Sequence, residues 1–430
     1  MQRSKRNNKA RHLGSALAVT AVASLALAGC SGAGSSNGPT KALEIFSYWT
    51  NGSEAKGLGA MVDDFKKNNP DVKVTNAAVS GDGGLNAQAA LQARLAGNNP
   101  PDTWQTAPLY GLTQYSDANL LQDLTSLYKK HGWSKNIPAD IIDAVSSNGK
   151  IYGAVTDVHR SNALWYNVDV IRQAGVDPAS LKSLDDVIAL KDKFAAQGVS
   201  TLCVGNNDGY GSRVLFENTL FASLGVQGYK DLFAGKLKWD DAKVKAAVQT
   251  YVDTIPVWNR DNQSLAWHDA TQALGDGKCA FESMGDWAYG ELLTMGFTYK
   301  KTFDYIEFPG SAGTFLANAD LFVVSNKAKN SANALKWVET ANDAKAQVDF
   351  SKFKGSVPVR SDADVSSLSE YQQQTAKLLQ TEKRSYSFQQ GAMAPAAYVR
   401  TFSDALIQLN NSPTKVDDFI STMKSAAAKK

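Results

Sequence analysis

The side chains that could act on another molecule come in small groups, each setting a flat aromatic ring beside a carboxylate, an amide or a cation. Tyr48, Trp49 and Glu54 share a loop that follows the strand-like run 42–47. Gln105 follows Trp104 behind Pro100-Pro101-Asp102, Trp267 precedes His268, and Asp286 precedes Trp287. Asn318, Asp320, Lys354 and Gln390 come later. Rings of this kind bury roughly 150–250 Å² each and cover apolar C–H faces. Ionised partners hold hydroxyls with bonds about twice as strong as neutral ones. The combination suits an uncharged ligand with C–H faces and a rim of hydroxyls. Within the groups, strand alternation sorts the candidates: Gln105 is expected to face the ligand and Trp104 the core. Trp49, next to polar Thr50 and Asn51, is expected to face the ligand. Glu54 either joins it or sits in a first helical turn, where the helix dipole favours an acid. Trp165 and Trp337, among apolar neighbours, are expected in the core.

Catalysis has little to stand on. With 42 Asp and Glu residues, a carboxylate pair at glycosidase spacing can always be drawn, so that signal is nearly empty. There is no Gly-x-Ser-x-Gly, His-Glu-x-x-His or Gly-x-x-x-x-Gly-Lys run. The four histidines are scattered and the cysteines lack Cys-x-x-Cys spacing, so neither a metal nor a cofactor is expected. Of 45 basic residues, Arg3, Lys5, Arg6, Lys9 and Arg11 precede residue 30 with no acid among them. The remainder carries 40 basic against 42 acidic side chains, a net charge of −2, which offers nothing to a polyanion. Nucleic acid is therefore excluded as a partner.

That basic stretch, the apolar run 13–28 and Leu27-Ala28-Gly29-Cys30 read together as an export signal over residues 1–29. The run is shorter than the roughly 20 residues that cross a bilayer. Its Leu-Ala-Gly-Cys ending resembles the lipobox of bacterial lipoproteins, whose cysteine carries acyl chains such as palmitate. Cys30 is accordingly expected to anchor the chain, through the Ser/Gly-rich tether 30–40, to the outer face of the cytoplasmic membrane. In that compartment Cys203 and Cys279, each in a strand-like run, are expected to bridge, with two buried thiols as the alternative.

Length and a 43% hydrophobic content suit two domains. Strand-like runs at 42–47, 72–74, 102–106, 150–155, 162–167 and 198–205 alternate with helical patterns at 58–65, 85–95, 117–130, 213–224, 242–253, 268–275, 328–342 and 403–428. Such alternation implies an α/β fold with parallel, doubly wound sheets.

Leu43–Phe65, Asn69-Pro70-Asp71-Val72-Lys73-Val74 and Pro100-Pro101-Asp102-Thr103 resemble the first lobe of the extracellular solute-binding proteins (family 1) of ABC sugar importers. Gly149-Lys150-Ile151-Tyr152-Gly153 with Ala163-Leu164-Trp165-Tyr166-Asn167 is similar to that family's crossing into its second lobe. Met284-Gly285-Asp286-Trp287 and Gly355-Ser356-Val357-Pro358-Val359-Arg360 match later family segments. Tyr48-Trp49 and His159-Arg160-Ser161-Asn162 are most like the glucose-, galactose- and mannose-binding members. The resemblance implies a two-lobe periplasmic-binding-protein fold, type II-like, with crossing hinge segments. The lobes would span 41–156 plus 314–356 and 157–313 plus 357–430. It also implies a small neutral sugar as ligand, glucose- or mannose-like, and the permease's transmembrane subunits as partners of a monomeric protein. It adds His159 to the ligand set of Tyr48, Trp49, Glu54, Gln105, Trp267, Asp286, Trp287, Asp320, Lys354 and Gln390. The readings set against it are a surface-tethered glycoside hydrolase and an oligosaccharide-binding member of the same family.

Overall fold

Leu43 and Ile45 turn inward while Ala42 and Glu44 turn out, which makes Ala42–Phe46 a half-buried strand, β1. In the helix Gly52–Asn68 that follows, Leu58, Met61 and Phe65 lie buried on one face, and Asn69-Pro70 ends it. The computed structural model describes residues 41–429, so the export signal, Cys30 and the whole tether lie outside the described residues.

Twelve strands are described. The first six are β1, β2 (Lys73–Asn76), β3 (Thr103–Thr106), β4 (Ser146–Ser147), β5 (Lys150–Ile151) and β6 (Gly153–Arg160). The others are β7 (Ala163–Asn167), β8 (Ser200–Cys203), β9 (Cys279–Ser283), β10 (Phe303–Glu307), β11 (Thr314–Val324) and β12 (Lys383–Tyr386). A six-stranded sheet runs β12-β11-β3-β1-β2, with β6 on the other side of β11. A four-stranded sheet runs β10-β7-β9-β8. β1 pairs in parallel with β2 and β3, as βαβ units require, whereas β11 is antiparallel to both β3 and β6. Both sheets are mixed rather than purely parallel, because the chain crosses between them and returns in the opposite direction. One group of buried side chains packs on the six-stranded sheet, and two pack around the four-stranded one.

The crossing strands position the site. β6 passes directly into β7, and Val158 also pairs with Val357, so three chain segments run side by side. Buried Arg160 ties the crossing together, donating to Glu307 (2.7 Å) and to the Thr314 carbonyl (3.1 Å). Between β6 and β11 the register slips at Asp320/Leu321, a bulge of the kind that re-aims side chains beside functional sites.

Several boundaries differ from the sequence patterns. Of the 117–130 pattern only Thr125–His131 is an α-helix; another, Tyr110–Ser116, ends just before it, and Asn119 between them takes a left-handed φ of 52°. The 403–428 pattern is also two, Ala396–Asn411 and Val416–Ala427, broken at Pro413. Trp104, Trp165 and Trp337 are fully buried, and Cys203 and Cys279 are bridged, joining β8 to β9.

Glu282 on β9 is buried beside this bridge and accepts from the Thr271 hydroxyl at 2.9 Å. Burial pushes its carboxyl up from 4.5 to about 8. Between those values the folded protein keeps a proton that the unfolded chain has lost, so stability falls as pH rises through that window. Glu282→Gln is expected to remove that slope. Its stability gain should be nil at pH 4 and grow to a few kcal/mol near pH 8, checked by urea unfolding across pH.

Candidate functional site

Loops at the carboxyl ends of β1, β2, β8 and β9 converge on one cleft of about 570 Å³, where open α/β sheets bind ligands. Tyr48, Asn51, Glu54 and the loop Ser80-Gly81-Asp82-Gly83-Gly84 come from the six-stranded sheet's side. Asp208, Tyr210, Trp267, His268, Trp287 and Glu291 come from the four-stranded sheet's side, and Asn318, Lys354 and Gln390 complete the lining. Trp287 and Tyr210 stand together, ring centres 6.3 Å apart and tilted by 36°. A recess of about 30 Å³, room for about two waters, continues behind Tyr48 between Gln105, Ala107, Asp320 and Gln390.

The polar groups hold one another in place. Lys354, 2% exposed, donates to Glu54 at 2.9 Å and lies 5.8 Å from the Trp49 ring. Burial works against its charge, but Glu54, then Asp320 and Asp157, more than offset this and hold its pKa above the ordinary lysine value. Tyr48 Oη donates to Asp320 Oδ1 at 3.1 Å, and Gln105 Nε2 donates to the same oxygen at 2.8 Å. Burial, then the charge of Asp320, keeps the Tyr48 phenol protonated. Gln390 Nε2 donates to the Tyr210 hydroxyl at 2.8 Å.

Both ends of the cleft are fastened across its width. Asp82 accepts from Arg213 (2.7 Å) and Arg400 (2.6 Å), and its amide donates to Asp208 at 3.0 Å. Gly83, with φ 56°, lets this loop approach, since a Cβ there would stand 2.4 Å from the Tyr210 ring. At the other end Glu291 accepts from the Ser53 amide at 2.9 Å, capping the helix Gly52–Asn68 from the opposite wall. A Cβ at Gly52 (φ 54°) would lie 2.3 Å from that carboxylate.

Of the residues expected from the sequence, Tyr48, Glu54, Trp267, Trp287, Lys354 and Gln390 line the cleft, while Gln105 and Asp320 line the recess behind it. Trp49, His159 and Asp286 do not. Trp49 is 1% exposed and packs in the core against Phe322 and Phe350, because Tyr48 takes the cleft-facing position in that strand-end alternation. His159 is fully buried, its Nδ1 bonded to Asp286 and its ring edge-on to Trp287 at 5.3 Å. Asp286 spends its remaining oxygen on the Arg160 amide (3.0 Å) and the Tyr371 hydroxyl (3.2 Å), so it positions the wall rather than forming it. Sequence reading missed Tyr210, Glu291 and the glycine-rich loop 80–84. The last carried a legible signal, three glycines in five residues shortly after a strand.

Residues 60–379 match the family of bacterial extracellular solute-binding proteins. An ABC transporter extracellular-binding protein from Pyrococcus horikoshii is 31% identical over 406 residues, covering 92% of this chain and 90% of that protein. A probable sugar-binding periplasmic protein from Mesorhizobium japonicum is 32% identical over 332 residues, 75% of this chain and 76% of its own. Among solved structures, the bacterial solute receptor AcbH shares the fold with a TM-score of 0.77 at 16% identity, over 90% of this chain and 97% of the receptor.

Proposed function

This chain belongs to the bacterial extracellular solute-binding proteins, and from that premise we propose that it captures a small neutral sugar in the cleft and delivers it to an ABC permease. One observation carries the reading: aromatic rings and fixed polar atoms from both sheets face a single cavity, with Trp287 and Tyr210 on one wall and Tyr48 with the Glu54–Lys354 pair on the other. A sugar ring stacks its C–H face on Trp287, with Trp267 at the margin, and its hydroxyls meet Glu54, Lys354 and Gln390. Asp320 acts from behind by holding Tyr48, and Gln105 by holding Asp320.

The lobes are 41–156 plus 314–356 and 157–313 plus 357–430, with β12 returning from the second segment to pair with β11. Closure engages the Asp82–Arg213–Arg400 and Glu291–Ser53 contacts, and the closed form docks on the permease. Acylated Cys30 tethers the monomer to the outer face of the membrane.

A binder fits the carboxylates better than a hydrolase does. Glu54 is paired with Lys354, Asp82 with two arginines, Asp208 with the amides of Asp82 and Tyr210, and Glu291 with the Ser53 amide. None of these four is left as a free general acid or base. A glucose- or mannose-like monosaccharide is the favoured ligand. A short oligosaccharide is the second reading, supported by a cavity of about 570 Å³.

A thermal-shift screen of mono- and oligosaccharides tests this. A cognate sugar at about 100 times its Kd should add roughly 2.7 kcal/mol to stability, a rise of several degrees. Hydrolysis of a labelled oligosaccharide, or a panel without any shift, would reject the reading.

A further inference from the structure

Behind the cleft, two carboxylates of the crossing strands, together with Asp286 from beyond β9, surround one imidazole. Asp157 and His159 sit two apart on β6 and so share a face, while Asn318 and Asp320 share the facing positions of β11. Asp157 lies directly opposite Asp320, and His159 opposite Asn318. Like charges in such a cross-strand pair repel, and here both carboxylates are at most 3% exposed.

Each of the three groups leaves an atom free toward the others. His159 Nδ1 is engaged by Asp286, which fixes the tautomer with Nε2 facing inward. Asp320 Oδ1 is taken by Tyr48 and Gln105, leaving Oδ2. Both oxygens of Asp157, His159 Nε2 and Asp320 Oδ2 lack a well-formed hydrogen bond. His159 Nε2 lies 3.3 Å from Asp157 Oδ2 and 3.8 Å from Asp320 Oδ2, and the three donor atoms fall within 4.8 Å of one another. Ligands bound tetrahedrally at about 2.0–2.1 Å stand about 3.3 Å apart, so a small ion is reached with little movement.

We propose that Asp157, His159 and Asp320 form a binding site for one divalent transition-metal cation of the zinc class. One imidazole nitrogen and two carboxylate oxygens are ligands that zinc accepts, and the Asp286–His159 contact supplies the carboxylate–histidine support such ligands commonly have. Charge favours it as well. Three carboxylates, Asp157, Asp286 and Asp320, stand around His159, and a divalent cation would offset their repulsion, which the Lys354 ammonium, shared with Glu54, does only in part. The inference does not rest on the sugar reading, since Asp157, His159 and Asp320 are not among the residues that line the cleft.

The test is metal retention by the purified protein, stripped with a chelator, loaded with Zn²⁺ or Co²⁺ and dialysed. One equivalent should remain by elemental analysis. X-ray absorption of the zinc form should show one imidazole and otherwise oxygen ligands. Asp157→Asn should lower affinity at least tenfold. Asp286→Asn, which touches the ion only through His159, should lower it 10- to 100-fold. His131→Ala, removing a surface histidine beside Glu339, should leave metal retention unchanged. Less than a tenth of an equivalent retained, or retention unaffected by Asp157→Asn in a protein with unaltered circular dichroism, would overturn the proposal. Sugar binding, measured separately, bears on neither outcome.

Discussion

Trp287→Ala is expected to weaken sugar binding by about 100-fold, equivalent to about 3 kcal/mol. The indole is one of the rings lining the cleft, and its neighbours Tyr210 and His159 keep it from turning away. Alanine leaves a hollow where the C–H face of the ligand would stack. Trp287 is itself 3% exposed and packed in a core cluster, so its truncation also lowers stability, and affinity is what sets it apart from Trp49→Ala. The Trp49 variant removes a fully packed core ring against Phe322 and Phe350, so stability should fall by about 3–5 kcal/mol. Affinity should change less than tenfold, through the looser support of Lys354 alone. Calorimetric titration with the cognate sugar, beside urea unfolding of both variants, separates the two effects. Equal affinity losses would remove Trp287 from the site.

Lys354→Met should cost both stability and affinity. The ammonium is the cation that Glu54, Asp320 and Asp157 together stabilise in a nearly solvent-free position. Taking away one member of a buried pair while keeping the other typically costs about 3–5 kcal/mol. The Glu54 side chain, 19% exposed, recovers some hydration, so the lower end of that range applies. The double variant Glu54→Gln with Lys354→Met should recover at least about 1 kcal/mol relative to Lys354→Met alone, because the orphaned carboxylate is gone. Strict additivity in that cycle would mean the two side chains do not act as a pair.

Much of the scaffold was legible. Period-two runs such as Leu43-Glu44-Ile45 and helical spacing such as Leu58, Met61 and Phe65 belong to single elements whose inner faces are set by local pattern. Mixed strand direction was not legible, since β11 finds β3 and β6 only after the chain has crossed to the second sheet and back. The site divides the same way. Residue types near strand ends pointed to Trp287, Glu54, Lys354 and Tyr48, which do line the cleft. What local pattern could not choose was which of two adjacent polar or aromatic residues would be spent internally. Tyr48 faces the cavity and Trp49 the core; Trp287 faces the cavity while Asp286 is consumed by His159, Arg160 and Tyr371. His159 itself is held by partners distant in sequence. Glu291 reads as an ordinary helix residue until the opposite wall's Ser53 amide meets it.

The most direct trial is the structure of the protein with its cognate sugar bound. The sugar ring should lie with one face against Trp287, between Tyr48 and Tyr210, with hydroxyls in reach of Glu54 and Lys354 and both fastened lips in contact. Density for the sugar on an outer surface, or touching residues of one sheet's side alone, would contradict capture between the two halves.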